Sequence, residues 1–176
     1  MAIYYATNIN KIKQNKEKLE KALKVKLSFS GKNIIIKGLP LEEFVAEKVI
    51  DAMELGFMFH QAILIADEEF VLEKIHIKDL TKRHDLSRIR ARIIGTKGKT
   101  KEIIQNLSDC VICVHENTVG IIGLSENIKK AITALTALIQ GKKQGKVYGF
   151  LEKERSKEKT QFGEDLGLKI KSNKKP

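Results

Sequence analysis

Residues 88–101 read RIRARIIGTKGKTK. Gly95 and Gly98 bracket Thr96 and Lys97 as a G-x-x-G. Ile93 and Ile94 run into the first glycine, and Ile103, Ile104 and Leu107 open a second amphipathic run after the second. Two glycines three apart let the backbone turn with no Cβ in the way. The helix that follows presents free N–H groups at its start, which suits an anion such as a phosphate. The stretch reads as helix, loop, helix, with the loop gripping a nucleic-acid backbone. A P-loop is the first rival, and it needs a glycine five positions before Gly98. Ile93 stands there, so the NTPase reading fails. The second rival is an ordinary turn on a solvated basic face, and the motif alone does not separate the two.

Charge weighs on the choice. The formal net charge is +11, and it is unevenly placed. Residues 1–80 hold 12 basic and 12 acidic side chains, whereas residues 81–176 hold 21 and 10. From Thr81 to Lys101 eight basic residues stand against Asp85 alone. Such a patch is the electrostatic footprint of a nucleic-acid binder. A membrane surface is the rival partner, but no helix pairs a basic face with a large exposed apolar one. No run approaches the ~18 apolar residues of a membrane span. Met1 to Asn10 lacks the charged start and apolar run of a signal peptide, so the expected compartment is the cytoplasm. With 42% hydrophobic residues the chain can bury a core, and its 176 residues suit one or two small domains.

Cys110 and Cys113 form a C-x-x-C, but they flank Val111-Ile112 in a run that reads as a strand. Residues three apart on a strand point to opposite faces, and no second pair completes a zinc site. His60, His76, His84 and His115 are scattered, with no carboxylate partner in a catalytic pattern. No catalytic residue, metal, cofactor or small-molecule substrate is therefore assigned.

The chain repeats itself. Val111 to His115 reads as a strand, Glu116-Asn117 as a tight hairpin and Thr118 to Ile122 as the return. Gly123-Leu124-Ser125 then opens a helix that stops at Gly141, with Ser125 as its N-cap. In the first half Val25 to Phe29, Ser30 to Asn33 and Ile34 to Lys37 give the same strand, turn and strand. Gly38-Leu39-Pro40 then opens a helix that stops at Gly56, and Pro40 suits its first turn. Gly38 and Gly56 lie 18 apart, as do Gly123 and Gly141. Equal spacing between matching landmarks argues for two copies of one fold. The first copy has no G-x-x-G. Its counterpart, Ile9 to Ile12, falls in Asn10 to Leu23, which reads as one continuous helix after a strand at Ile3 to Ala6. Between the copies Phe57 to Ile65 reads as a short apolar helix, and Lys74 to Lys78 as the first strand of copy two. After Gly141, Val147 to Lys159 reads as a charged helix, and Gly163 onward as a basic, mobile tail.

The run R-x-I-I-G-x-x-G-x-T-x-x-I, followed by Leu107, Asp109 and the strand at Val111 to Val114, resembles the K-homology (KH) RNA-binding module. KH domains clamp about four nucleotides with a G-x-x-G loop. Ala91 stands where KH families often have glycine, which leaves the loop itself intact. Together, the degenerate copy, linker helix, intact copy and closing V-Y-x-F-L-E helix resemble the archaeal branch of the Pno/Krr (Dim-type) KH proteins. The resemblance implies an α+β fold of two tandem type I KH units, each a three-stranded antiparallel sheet packed on helices. The expected division is 1–66 for the degenerate unit, 67–160 for the intact unit with its closing helix, and 161–176 for the tail. It further implies binding near the 3′ end of small-subunit ribosomal RNA during subunit assembly. The implied partners are pre-ribosomal particles and a PIN-domain endonuclease that trims that end.

The residues expected to carry RNA binding fall into three groups. Gly95, Thr96, Lys97 and Gly98 turn the strand's phosphates toward the loop amides. Arg88, Arg90, Arg92, Lys99 and Lys101 supply the surrounding field. Ile94, Ile103 and the edge strand at Ile112 form an apolar floor for the bases, unless Ile94 and Ile103 pack inward as core. Two other roles stay open: a KH regulator of messenger RNA or translation, and a protein adaptor for the endonuclease with RNA contact secondary. The first copy is expected to pack on the second through Phe57, Met58 and Phe59, and to add almost nothing to RNA affinity.

Overall fold

The structure, a computed structural model, describes residues 1–165, and side chains through 161. Alternating side chains in β1 (Ala2–Tyr5), β2 (Lys26–Ser30) and β3 (Asn33–Lys37) bury one face of an antiparallel sheet of order β1-β3-β2. Helices α1 (Ile9–Gln14), α2 (Lys16–Leu23) and α3 (Pro40–Glu54) pack on it through Ile12, Leu19, Leu23, Ala46, Val49 and Ile50. Pro40 takes the first position of α3, where its missing N–H is one of the helix's spare donors. Glu42 and Glu43 accept from the N–H groups of Leu39 and Gly38, each at 3.0 Å.

A short α4 (Phe59–Ala62) and a 3-10 turn (Ile63–Ala66) lead into β4 (Phe70–His76) and a one-turn α5 (Ile77–Leu80). Then follow α6 (Leu86–Ile94), α7 (Lys99–Ser108), β5 (Val111–His115), β6 (Thr118–Leu124), α8 (Ser125–Ile139) and α9 (Gln144–Asp165). The second sheet, β4-β6-β5, has the same antiparallel order as the first. Both halves therefore run strand, two helices, two strands, helix: the α+β, twin KH arrangement expected from the sequence.

The landmarks of the two halves match at a constant offset. Lys24 and Asp109 end α2 and α7 in the left-handed conformation (φ 56 and 51). Gly38 and Gly123 precede α3 and α8, and Gly56 and Gly141 follow them. Each pair is 85 positions apart. That offset moves the first-copy counterpart of the loop one residue on, to positions 10–13, which lie inside α1.

Several boundaries differ from the sequence reading. Asn10 to Leu23 is two helices, broken at Asn15 (φ −106, ψ 12). Asn15 Nδ2 donates to the Lys11 carbonyl at 2.9 Å, the local bond by which asparagine competes with a helix. Ser125 is the first residue of α8, and Leu124 holds the N-cap position. Strand β4 starts at Phe70 because it pairs with the whole of β6 up to Leu124. Helix α9 runs to Asp165, past the Gly163 taken as the start of a tail; residues 166–176 lie outside the described residues.

The second sheet is covered on both faces. Ile75, Ile112, Val119 and Ile121 face α6, α7 and α8. Ile122, with Phe70, Leu72, Val111 and Cys113, joins the core of the first copy. Phe57, 1% exposed, lies so close to β6 that a Cβ on Gly120 would meet its ring at 2.7 Å. Across the same junction the Lys74 ammonium sits 2.6 Å from Asp51. Phe57 and the half-buried Phe59 carry the expected packing, whereas Met58 points to solvent at 58% exposure.

Candidate nucleic-acid interface

Helix α6 sets the loop. Asp85 caps it, accepting from Arg88 N–H at 3.1 Å, and Ile89 and Ile93 bury its inner face. The chain then passes through three positive-φ residues: Gly95 (φ 75, ψ 174), Lys97 (φ 53, ψ 29) and Gly98 (φ 79, ψ 4). Gly98 N–H donates to the Gly95 carbonyl at 3.1 Å and closes the turn. The two glycines serve different ends. A Cβ at Gly95 would lie 2.7 Å from the backbone nitrogen of Thr100, whereas one at Gly98 would meet nothing within 4 Å. Gly95 lets α7 pack against the turn, and Gly98 leaves the outer surface of the loop open to a ligand. The Thr96 and Lys97 side chains are exposed beside it.

Two residues that the sequence reading missed hold this loop from behind. Thr100 is 4% exposed, and its Oγ1 accepts from Gln144 Nε2 at 3.0 Å. The same Gln144 amide donates to the Arg92 carbonyl at 3.4 Å. The first residue of α9 thus ties the end of α6 to the start of α7. A polar residue 46 positions away from Gly98 carries no local signal for this role.

The expected site residues divide between opposite flanks of the two helices. Arg90 and Ile94, one turn apart on α6, share a flank. Arg90 donates to Glu116 O and Asn117 Oδ1, each at 3.2 Å, which fixes that flank against the β5–β6 hairpin. Ile94 is 37% exposed there, so it is not core. On α7 the matching flank carries Lys101 and Gln105. Gln105 Oε1 accepts from the N–H of Ile112 at 2.8 Å on the free edge of β5. Loop, Arg90, Ile94, Lys101, Gln105 and the β5 edge therefore border one groove. Gln105 is the second kind of residue missed from the sequence: it covers a backbone donor on the free edge of β5.

Five expected residues stand elsewhere or differently. The Ile112 side chain is buried at 2% under the helices, so the strand offers its backbone edge rather than an apolar floor. Ile103 sits on the opposite flank of α7 from Gln105, lining a cavity of about 380 Å³ with Lys99, Gln144 and Tyr148 under α9. Arg88 and Arg92 point away from the groove, into a cavity between α6 and the end of α8. Lys99 is exposed on the loop side of α7.

Cys110 and Cys113 face opposite sides of the second sheet, as strand geometry demands. Burial pushes both thiols up, and Cys113 donates to the Leu55 carbonyl at 3.2 Å. The positive charges of Lys101 and Lys11 pull the Cys113 value part of the way back. Among the described residues no group of three His, Cys, Asp or Glu could hold a metal ion, and no helix is long and apolar enough to cross a membrane.

A three-stranded antiparallel sheet, two helices joined by G-x-x-G and a groove along the edge strand define an RNA-binding protein of the type I KH class. Residues 71–156 match the family model for the second KH unit of PNO1 proteins, the eukaryotic type KH-domain (KH-domain type I). KH domain-containing protein MJ0443 of Methanocaldococcus jannaschii is 34% identical over 149 residues, covering 81% of this chain and 66% of that protein. The crystal structure of Dim2p from Pyrococcus horikoshii OT3 matches with a TM-score of 0.77 and 31% identity, over 87% of this chain and 99% of that one. A chain of the a/eIF2alpha–aDim2p–rRNA complex from the same organism matches with a TM-score of 0.79 and 29% identity, over 89% and 94%. The chain belongs to the Pno1/Dim2 type of KH protein. It spans about half the length of the eukaryotic pre-rRNA-processing PNO1 proteins that it also matches.

Proposed function

We propose that this protein binds single-stranded RNA in the α6–α7–β5 groove and serves assembly of the small ribosomal subunit. Its target is the subunit's ribosomal RNA near the 3′ end, within pre-ribosomal particles and beside a PIN-domain endonuclease. It acts in the cytoplasm by holding the strand in place, and cleavage falls to its partner. The observation that carries the reading is the loop: Gly98 leaves the outer turn open, and Thr96, Lys97 and Lys101 border it with no carboxylate among them. Relatives named for pre-rRNA processing and a neighbour solved with rRNA support the target.

The division of labour follows from the fold. Residues 67–160 hold the grip, and residues 1–66, whose loop counterpart is helical, cover the back of the second sheet. Phosphates lie against the loop amides, Arg90 and Lys101, while bases lie over Ile94 toward the β5 edge. Swinging Gln105 off Ile112 N–H frees a donor for a base edge.

The test joins a cellular and an in vitro measurement. Crosslinking and sequencing in cells should give one dominant site near the 3′ end of small-subunit rRNA; a spread over many messenger RNAs refutes the assembly role. In vitro, Thr96→Asp with Lys97→Asp should weaken short single-stranded RNA by tenfold or more, about 1.4 kcal/mol, with circular dichroism unchanged. Unchanged affinity refutes the groove.

A further inference from the structure

Resting on that reading, we propose a second RNA-phosphate site on the far flank of α6, formed by Arg83, Arg88 and Arg92. It takes the stretch of RNA that flanks the groove-bound nucleotides. The three arginines border a cavity of about 620 Å³ between the start of α6 and the end of α8. Its floor, Ile89, Leu138 and Ile139, is at most 5% exposed, and the lining that a ligand meets is about equally polar and apolar.

The charges in it are unbalanced. The other ionisable groups at the rim are His84 and Asp85, and Asp85 Oδ1 is already engaged by Arg88 N–H and Ser87 Oγ, each at 3.1 Å. Among the described residues none of the three arginines is in a salt bridge with a carboxylate. Arg92 donates to the Lys142 carbonyl, which ties one guanidinium to the α8–α9 connection, and the exposed Arg83 lies over the turn at Gly141.

Residue choice points to phosphate. The chain has 28 lysines and five arginines, yet four of the five arginines fall between positions 83 and 92. Lysine would serve a diffuse field. A planar guanidinium fork matches phosphate oxygens two at a time. Placement points to the same RNA. Arg92 is three residues before Gly95, and Arg88 is one turn further back, about 6 Å along the helix. A strand leaving the loop around the end of α6 meets Arg92, then Arg88, then Arg83. An acidic protein segment is the competing occupant, and the choice of arginine next to the RNA loop is what favours phosphate over it.

The experiment compares two RNAs against the full chain. A short one of about four nucleotides fills the groove alone; a longer one extends it at both ends. Arg83→Ala with Arg88→Ala should leave the short RNA within twofold and weaken the long one by tenfold or more. Two lost phosphate contacts should also shallow the long RNA's slope of log K against log salt by about 1.4. Arg83→Lys with Arg88→Lys, which keeps the charge and removes the fork, should recover only part of the loss. Equal weakening of both RNAs makes the arginines part of the groove's own field and overturns the proposal. No weakening of either overturns it too, as does loss of an acidic protein partner with RNA affinity intact. The groove is judged separately. Wild-type protein that binds the long RNA but not the short one sinks the groove and leaves the arginine site standing; binding of neither sinks both.

Discussion

Replacing each glycine of the loop with alanine should separate stability from binding. Gly95 has φ 75 and ψ 174, a region open essentially to glycine alone, where any other residue costs about 1–3 kcal/mol. Its added Cβ would also press on the Thr100 backbone at 2.7 Å. That nitrogen belongs to α7, which is pinned by the buried Ile104 and by Gln144, so relief requires the helix itself to shift. Such overpacking adds about 1–3 kcal/mol. Gly95→Ala should therefore lose about 2–6 kcal/mol. Gly98, at φ 79 and ψ 4, is ordinary left-handed backbone with nothing within 4 Å of an added Cβ. Its alanine variant should lose only about 1–2 kcal/mol. RNA affinity should rank the other way per folded molecule, because the Gly98 methyl projects into the space where the strand's backbone passes. Urea unfolding by circular dichroism gives the stabilities, and fluorescence anisotropy with a short RNA gives the affinities. Equal stability losses would refute the steric argument. A Gly98→Ala protein with full affinity would refute close approach of the strand to the outer turn.

Three further outcomes follow from the same geometry. Gln144→Ala removes the tie between Arg92 O and Thr100 Oγ1; RNA binding should weaken several-fold, with amide exchange at residues 95–99 accelerating while the rest of α7 stays protected. Phe57→Ala empties the junction beside Gly120, and a loss of about 3–5 kcal/mol in urea unfolding is expected, with a loss under 1 kcal/mol refuting tight packing there. Burial raises the Glu54 carboxyl, but hydrogen bonds from Thr7 and Tyr4 outweigh it and hold the group below its ordinary value. Its contribution to stability is therefore full above the carboxylate range and lost as the pH falls through it, so Glu54→Gln should flatten the acid limb of the urea midpoint measured from pH 7 to pH 3.

Periodic and local features of the fold were legible in the sequence. Matching glycines gave the repeat, period-2 runs gave β2, β3 and β5, and G-x-x-G between two amphipathic runs gave the loop. What escaped was the choice of flank. A helical pattern shows that Arg90 and Ile94 share one side and Arg88 and Arg92 another. It does not show which side meets β5 and which meets α8, because that depends on how α6 lies on the sheet. Ile103 was assigned to the groove for the same reason, and α9, which begins 41 residues downstream, claims its flank instead. Gln105 and Gln144 act by single hydrogen bonds across the fold and leave no periodic trace.

Strand β6 carries the remaining lesson. Its middle, Val119 to Gly123, is buried at every position, where a sheet with one wet face would alternate. Val119 and Ile121 face α6, α7 and α8, while Gly120 and Ile122 face Phe57 and the first copy. A sheet buried on both sides has no stable exposed form, so the second copy needs a cover whether or not that cover touches RNA. The first copy meets the need with its helices, its linker and the Lys74–Asp51 ion pair, none of which uses a loop. The absence of a G-x-x-G there leaves that covering surface whole. A fragment of residues 68–176 should accordingly expose Ile122, Leu72 and Val111 and fold poorly, yet bind short RNA nearly as well per folded molecule. A fragment that folds well but has lost tenfold in affinity would mean that the first copy reaches the RNA.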